Sequence, residues 1–297
     1  MAEMTSMSRG QRNYLRKLRR DSQIVRIIRI LIFLAFLALW EGSARLGLID
    51  SFIFSSPSQV VMAMYHMILD GTLAVHTGVT LWETIASFAL VTVFGIAIAV
   101  LLWCFPKLSS ILEPYLVVLN SLPKSALAPL LIVWLGSNIK TIIVAGLSVA
   151  IFGAILNLYT GFCGTDPDKL KLISTLRGTK KDALFKVVLP SSVPLILSIM
   201  KVNIGLCLIG VVIGEMIGSK RGLGYLIIYS SQVFKLDTMI MSIVILCIIA
   251  AVLYSLINVA EKKLQKTFLT KQKIQASAAQ LLAAAWIFFI LFQIPKG

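Results

Sequence analysis

Polar side chains interrupt the long apolar segments of this chain at a few positions, and they are the first candidates for chemistry. Amide and charged groups are costly inside an apolar helix, so they commonly line the route of a polar solute or pair with one another. The candidates for such a pathway are Asn120, Lys124, Asn157, Asn203 and Glu215. For Lys124, lining an anion route competes with stabilising a helix that Pro123 and Pro129 break. For Glu215, a structural hydrogen bond competes with solute contact, whereas Lys201 is expected to extend its amine to the membrane interface.

Residue sets that would catalyse a reaction or hold a metal ion are not apparent in the sequence. The four cysteines are Cys104, Cys163, Cys207 and Cys247. They lie in or beside apolar segments without CxxC spacing, which favours packing as small hydrophobic side chains over metal or disulfide roles. The sequence also lacks a Gly-x-x-x-x-Gly-Lys-Ser/Thr phosphate loop, so it is not expected to hydrolyse ATP. We therefore expect no catalytic residue, metal site or cofactor on this chain.

Composition places these residues in a membrane. Of 297 residues, 58% are hydrophobic and 14% are charged, and the mean hydropathy is +0.91. A soluble domain of this size needs more polar surface. The apolar runs lack the period-2 alternation of transmembrane strands, so the sequence predicts an all-α polytopic membrane protein. The net charge of +15 lies mostly beside apolar segments, which indicates orientation in a membrane rather than nucleic-acid binding.

Six apolar segments are long enough to span a bilayer as helices. They cover about residues 27–48, 80–104, 111–135, 139–161, 192–218 and 238–260. A basic tail, residues 1–26, precedes them, and basic residues recur in the polar loop, which we define as residues 164–190, and in segment 261–273. Because basic residues favour the inner side, we expect the N-terminus, the polar loop and segment 261–273 to lie in the cytoplasm.

Two segments outside the six spans are also apolar enough to meet the membrane. Residues 50–79 hold an amphipathic stretch, which predicts a helix in the membrane interface or against the bundle. The stretch contains Val60, Val61, Met64 and Met67. Residues 262–297 combine a basic segment with the apolar stretch 276–294, which either crosses the membrane as a seventh span, the slightly favoured alternative, or lies along it. Between the tail and this last segment, we expect one membrane domain over residues 27–261.

The polar loop has the signals of two helices. Asp166 before Pro167 predicts a helix start, with an acceptor at the N-cap and a proline at the first helical position. Gly178 is placed to end this helix in a left-handed conformation. Thr179 and Asp182 have capping-box spacing for a second helix. The sequence therefore predicts a helix–turn–helix that joins the flanking spans directly.

These two helices carry apolar side chains over a broad face. The loop could fold back on its own bundle, but capped helices are unusual in a mere connection, so a partner surface is favoured. The residues expected to form that surface are Lys169, Leu172, Ile173, Leu176, Arg177, Gly178, Thr179, Lys180 and Leu184.

The polar loop resembles the cytoplasmic coupling loop of ABC-importer permeases. That motif runs Glu-Ala-Ala, three residues, Gly, about ten residues, and a hydrophobic-x-Leu-Pro ending, here at residues 189–190. Residues 122–130 (LPKSALAPL) resemble the family's Ile-Pro-x-x-Ala-x-x-Pro-Leu run. Residues 214–216 (GEM) and 222–226 (GLGYL) resemble its Ala-Glu-Met…Gly-Leu-Gly-Tyr-Leu segment. The set covers about residues 57–261 and resembles the nitrate/sulfonate/taurine-type branch.

The chain departs from this pattern at its most typical positions. Counted back from residues 189–190, the family's glycine falls on Arg177, one place before Gly178. The Glu-Ala-Ala positions fall on residues 171–173 (KLI), so a base replaces the acid and large side chains replace the small pair. Glu83 stands where the branch usually has a basic residue. We expect these departures to leave the protein in the permease class and to alter how it pairs with its ATPase, compared with typical members of the branch.

The resemblance implies a type I ABC-importer permease with a six-helix core, in the cell membrane of a prokaryote. It also implies partners: a second permease subunit, two ABC ATPase subunits that hold ATP and Mg²⁺, and an extracytoplasmic substrate-binding protein, all in or at a lipid membrane. The substrate would be a small organic anion or a vitamin-precursor-like solute. The alternatives are a non-transporting scaffold or assembly subunit with the same fold and, third, a secondary transporter, whose internal repeats are not apparent.

Overall fold

The structure is a computed structural model that describes residues 9–263. The predicted seventh span, 276–294, and the basic residues after Lys263 lie outside the described residues. Within them the regular elements are helices. In chain order these are α1 (Arg9–Arg45), α2 (Ser51–Phe54), α3 (Pro57–Leu69), α4 (Thr72–Cys104), α5 (Pro106–Ser121), α6 (Lys124–Leu135), α7 (Ile139–Cys163), α8 (Pro167–Thr175), α9 (Lys180–Ala183), α10 (Leu189–Gly218), α11 (Leu223–Gln232) and α12 (Leu236–Lys263).

Five helical stretches among the described residues are long and apolar enough to cross a membrane. They are Gln23–Arg45, Thr72–Cys104, Ile139–Cys163, Lys180–Gly218 and Leu236–Lys263. The α5–α6 pair also passes this test, and it makes a sixth span if the two helices are taken together. The predicted all-α, polytopic fold class is therefore confirmed, with span boundaries that differ from the expected ones by several residues.

The predicted third span, 111–135, is not one straight helix. It breaks between Ser121 and Lys124, and the two halves meet at 97°. Leu122 has an extended ψ of 141° because the following Pro123 disfavours the helical conformation at the residue before it. Lys124 consequently begins α6 instead of lying in the middle of a span.

The helix that contains the fifth span starts earlier than predicted. The sequence places the span start near residue 192, but helix continues without a break from Lys180 to Gly218. A π-helical turn, Leu184–Val188, joins α9 to α10 directly before Pro190. A wider turn absorbs an irregularity in the hydrogen-bond ladder without ending the helix. Part of the polar loop and the fifth span are thus one continuous helix.

The described residues divide into two packed units. The first comprises residues 9–73 with 229–241. In it, the Glu41 carboxylate accepts hydrogen bonds from the Ser58 N–H at 3.1 Å and the Ser58 hydroxyl at 3.0 Å, which joins α1 to the first turn of α3. The helix predicted within residues 50–79 is α3, and Ser56 is its N-cap.

The second unit comprises residues 74–228 with 242–263. Helices α7 and α10 approach closely, because a Cβ at Gly210 would lie 2.9 Å from the Cα of Gly146. Small residues permit such contact between membrane helices. A buried apolar cluster joins the ends of α4, α7 and α10. It consists of Ala99, Leu158, Phe162, Leu184, Val188 and Ile199. The side chain of Leu170, in α8, packs against it and seats the polar loop on this unit.

Candidate functional site

The first helix of the polar loop begins as predicted and ends one residue earlier than predicted. Asp166 caps α8 by accepting a hydrogen bond from the Asp168 N–H at 3.0 Å. At the other end, the Gly178 N–H donates to the Ile173 carbonyl at 2.8 Å. The Arg177 N–H donates to the carbonyl three residues before it at 3.0 Å. These two bonds form a Schellman motif, whose left-handed residue is Arg177, with φ 57°, and not Gly178.

The second helix of the polar loop starts with the predicted capping box. The Thr179 hydroxyl accepts a hydrogen bond from the Asp182 N–H, and the Asp182 carboxylate accepts one from the Thr179 N–H at 2.9 Å. Lys186 forms an ion pair with the same carboxylate at 2.7 Å. Both helices of the loop therefore have satisfied N-termini, so the loop is an ordered element.

The predicted surface residues of the polar loop divide into exposed and buried sets. Leu172 and Leu176 are 59% and 71% exposed, and Lys169, Arg177, Thr179 and Lys180 are also exposed. Ile173 and Gly178 are half-buried against each other.

The prediction that Leu184 belongs to the partner surface is wrong. Its side chain is 4% exposed and packs in the apolar cluster, so it cannot contact a partner. Phe185, which the sequence analysis did not select, is 66% exposed next to it. The π-helical turn shifts the faces of this segment, and no local signal in the sequence announces that shift.

The predicted pathway residues lie at different depths. Asn120 is half-buried, with its amide oxygen 3.2 Å from where a Cβ on Gly153 would be. Lys124 is half-buried at the start of α6, Asn157 is exposed on α7, and Asn203 is 4% exposed in α10. Contacts between these four side chains are not seen among the described residues.

Glu215 is fully buried and its carboxylate is held by two donors. The Thr80 hydroxyl donates to Oε1 and the Gly224 N–H donates to Oε2, both at 2.7 Å. The Thr80 oxygen also accepts a hydrogen bond from the Leu223 N–H at 2.9 Å. Gly222, with φ 102°, lies directly on the carboxylate, because a Cβ there would be 2.2 Å from its Oε1. This clasp (Thr80, Glu215 and the 222–224 turn) favours the structural alternative for Glu215.

Lys201 does not extend to the membrane interface as predicted. Its side chain is 19% exposed and forms an ion pair with Glu261 of α12. It also donates a hydrogen bond to the Asn258 side chain at 3.3 Å. A carboxylate within reach is a better partner for the buried amine than a route to solvent, and the sequence did not show that α12 would supply it.

A cavity of about 390 Å³ lies beside the clasp in the same unit. Glu83 and Val79, one turn apart on α4, line one side of it. The start of α7 and the end of α10 line the rest. Glu83 was noted in the sequence as a departure from the branch pattern, but not as a site residue.

The helices define a multi-pass helical membrane protein that carries an ordered, exposed polar loop. Residues 91–266 match the family model described as binding-protein-dependent transport system inner membrane component. The chain belongs to this family of ABC-importer permease subunits, so it is a permease subunit and not an enzyme.

Relatives agree with this assignment. A probable ABC transporter permease protein of Haemophilus influenzae is 34% identical over 73% of this chain and 87% of its own length. A putative aliphatic sulfonates transport permease protein of Bacillus subtilis is 26% identical over 77% and 83%. A taurine transport system permease protein of Escherichia coli is 24% identical over 72% and 80%. The predicted resemblance to the nitrate/sulfonate/taurine-type branch is confirmed.

Solved structures show the same fold. An inward-facing structure of the MetNI methionine ABC transporter aligns with a TM-score of 0.57 at 18% identity. The alignment covers 69% of this chain and 97% of that one. The type I importer fold is thereby confirmed, and the chain is a multi-pass membrane protein.

Proposed function

We propose that this subunit forms a solute pathway and couples it to a separate ATPase through the polar loop. The observation that carries the proposal is the exposure of three large apolar side chains on an ordered loop, those of Leu172, Leu176 and Phe185. Three large apolar side chains that face water are costly unless a partner covers them. Burying each leucine side chain against a partner contributes about 1.5–3 kcal/mol, which is enough to make the two leucines important for binding that partner.

The polar loop is mechanically connected to the span that follows it. Its second helix continues without a break through the span Lys180–Gly218, and Leu170 joins its first helix to the buried cluster. A partner that pushes the loop would therefore tilt the span as a rigid body. Exposed Lys169, Arg177 and Lys180 would orient the partner through their charges.

The partners follow from the family. The ATP and Mg²⁺ would lie on two ABC ATPase subunits, a second permease subunit would complete the pathway, and an extracytoplasmic binding protein would deliver the solute. The basic tail, residues 1–26, supports a cytoplasmic N-terminus. Relatives are described as permeases for aliphatic sulfonates, taurine and formylaminopyrimidine. The substrate is accordingly a small organic anion or a vitamin-precursor-like solute.

The test is co-expression of the full chain with candidate ABC ATPases, followed by affinity capture and ATPase assay in lipid nanodiscs. Leu172→Asp and Leu176→Asp should each weaken capture of the ATPase by about tenfold or more, since each removes one buried apolar contact. Ser174→Asp adds the same charge to an exposed position of α8 and is the matched control.

Unchanged capture in both leucine variants would overturn the docking surface. Capture without any ATP-driven uptake by the wild-type complex would instead favour a non-transporting scaffold.

A further inference from the structure

Two buried acids meet where α4 packs on α10. Glu83 and Glu215 are both 0% exposed, and their carboxyl groups interact with each other. Thr80, which bonds Glu215, lies three residues before Glu83 and therefore on the same face of α4. Two neighbouring carboxylates that are fully buried do not both ionise, because solvent does not screen their repulsion. The pair therefore holds one proton at neutral pH.

The two acids differ in the donors that surround them. Glu215 accepts hydrogen bonds at 2.7 Å on both oxygens, from the Thr80 hydroxyl and the Gly224 N–H, and such donors favour the ionised form. Neither oxygen of Glu83 receives a hydrogen bond from an N–H or hydroxyl group of residues 9–263. The proton is accordingly better placed on Glu83, whose O–H then supplies Glu215 with a third donor.

Other titratable groups face this pair from neighbouring elements. Lys220 and Arg221, in the turn after α10, line the cavity beside Glu83, but neither forms an ion pair with it in the described part of the chain. On α4, the His76 Nδ1 accepts a backbone hydrogen bond from the clasp at 3.0 Å, and its ring stacks on that of Tyr225. From α7, the cavity is lined by apolar side chains. A proton thus takes the place of a cationic side chain as the partner of the two acids.

We propose that Glu83 is a neutral carboxylic acid that donates a hydrogen bond to the Glu215 carboxylate, and that this proton keeps the clasp closed. Glu83 is then a positioning residue, since it holds Glu215, which in turn holds the 222–224 turn against α4. The branch usually has a basic residue at position 83, which would pair with Glu215 without a titratable proton. The inference goes beyond the proposed function and does not depend on it.

The sign of the pH dependence follows from the charges. Loss of the proton leaves two negative charges in contact inside the protein, which favours separation of the turn from α4. The closed clasp binds one more proton than the open clasp at neutral pH. It is therefore stable while Glu83 is protonated and opens as the pH rises.

Infrared difference spectroscopy of the full-length chain in lipid nanodiscs detects the proton through the C=O stretching band of a protonated carboxyl group. At neutral pH, Glu83→Gln should remove this band, because the amide donates without a proton to lose. Glu215→Gln should keep the band at a shifted frequency, and Glu113→Gln, at an exposed site on α5, should leave it unchanged. The proposal is overturned if Glu83→Gln removes no such band, or if only Glu215→Gln removes it.

Hydrogen exchange of the peptide that contains Gly224, corrected for the intrinsic effect of pH, measures the opening of the clasp. In the wild-type protein, protection should fall by up to about tenfold per pH unit as the pH rises above neutral, the slope for one proton. Glu83→Gln should keep its protection constant, although His76 titrates equally in both proteins. Wild-type protection that does not change with pH, or an equal fall in Glu83→Gln, would refute the proton-dependent clasp. The wild-type measurement decides the question even where a variant fails to fold.

Discussion

The N–H of Gly178 donates to the carbonyl of Ile173 across five residues, at 2.8 Å, and this bond fixes which residue must be left-handed. A Schellman motif places the left-handed residue immediately before the donor, and here that residue is Arg177. The glycine of the coupling-loop motif, counted back from residues 189–190, also falls on Arg177. The chain therefore keeps the backbone geometry that a glycine would favour, but builds it with an arginine.

Replacing Arg177 with glycine should stabilise the end of α8. A residue with a Cβ costs about 1–2 kcal/mol in the left-handed conformation, and part of the gain is offset by the greater freedom of glycine in the unfolded loop. We expect slower hydrogen exchange of the Gly178 amide, by a factor equivalent to about 1 kcal/mol. Arg177→Ala removes the same charge but keeps the strain, so it should leave exchange at this amide unchanged or faster; equal slowing in both variants would contradict the backbone explanation.

Gly178 is required for a different reason, namely lack of space. A Cβ there would lie 2.5 Å from Cγ2 and 3.0 Å from the carbonyl oxygen of Ile173. Gly178→Ala should therefore destabilise the polar loop by about 1–3 kcal/mol, as overpacking commonly does. Limited proteolysis within residues 164–190 measures the effect. Ile173→Ala removes Cγ2, so the double variant should recover part of the loss, and no recovery would place the clash elsewhere.

The sequence predicted the polar loop well because its signals are local. The caps at Asp166 and Thr179 depend on residues within one turn, and each forms as expected. The burial of Leu184 was not predicted, because it depends on a π-helical turn and on packing against two distant spans. The 97° break after Ser121 has a local cause, Pro123, although proline alone does not give the angle.

The pathway residues show the same division between local and distant information. Glu215 was selected for its burial, but its partners come from α4 and from the turn after α10, at sequence separations that no periodicity reveals. Glu83 was set aside as an irregularity of the motif for the same reason. Its position beside the Glu215 carboxyl depends on the packing of α4 against α10, which only the folded structure shows.

Thr80 should be far more sensitive to loss of its hydroxyl than Thr84, one turn along α4. Both are fully buried, but the Thr80 hydroxyl bonds Glu215 and Leu223, whereas that of Thr84 lacks a partner among residues 9–263. Thr80→Val leaves two buried groups unpaired and should cost about 1–3 kcal/mol, while Thr84→Val should be neutral or stabilising. Unfolding in mixed detergent micelles compares the two, and equal losses would refute the clasp.

The ion pair between Lys201 and Glu261 should make the two residues strongly interdependent. Their side chains are 19% and 10% exposed, so removing either partner leaves a charge that is poorly solvated. Lys201→Leu and Glu261→Leu should each cost about 3 kcal/mol, as for other buried pairs. The double variant should cost about 1–3 kcal/mol less than the sum, because neither charge remains. Unfolding of all four proteins in mixed micelles gives this coupling energy.

The control is Lys171→Met, which breaks a largely exposed contact with Asp168 at 4.0 Å and should leave the free energy of unfolding unchanged. Additive effects of the two leucine substitutions would show that the pair does not join α10 to α12 energetically.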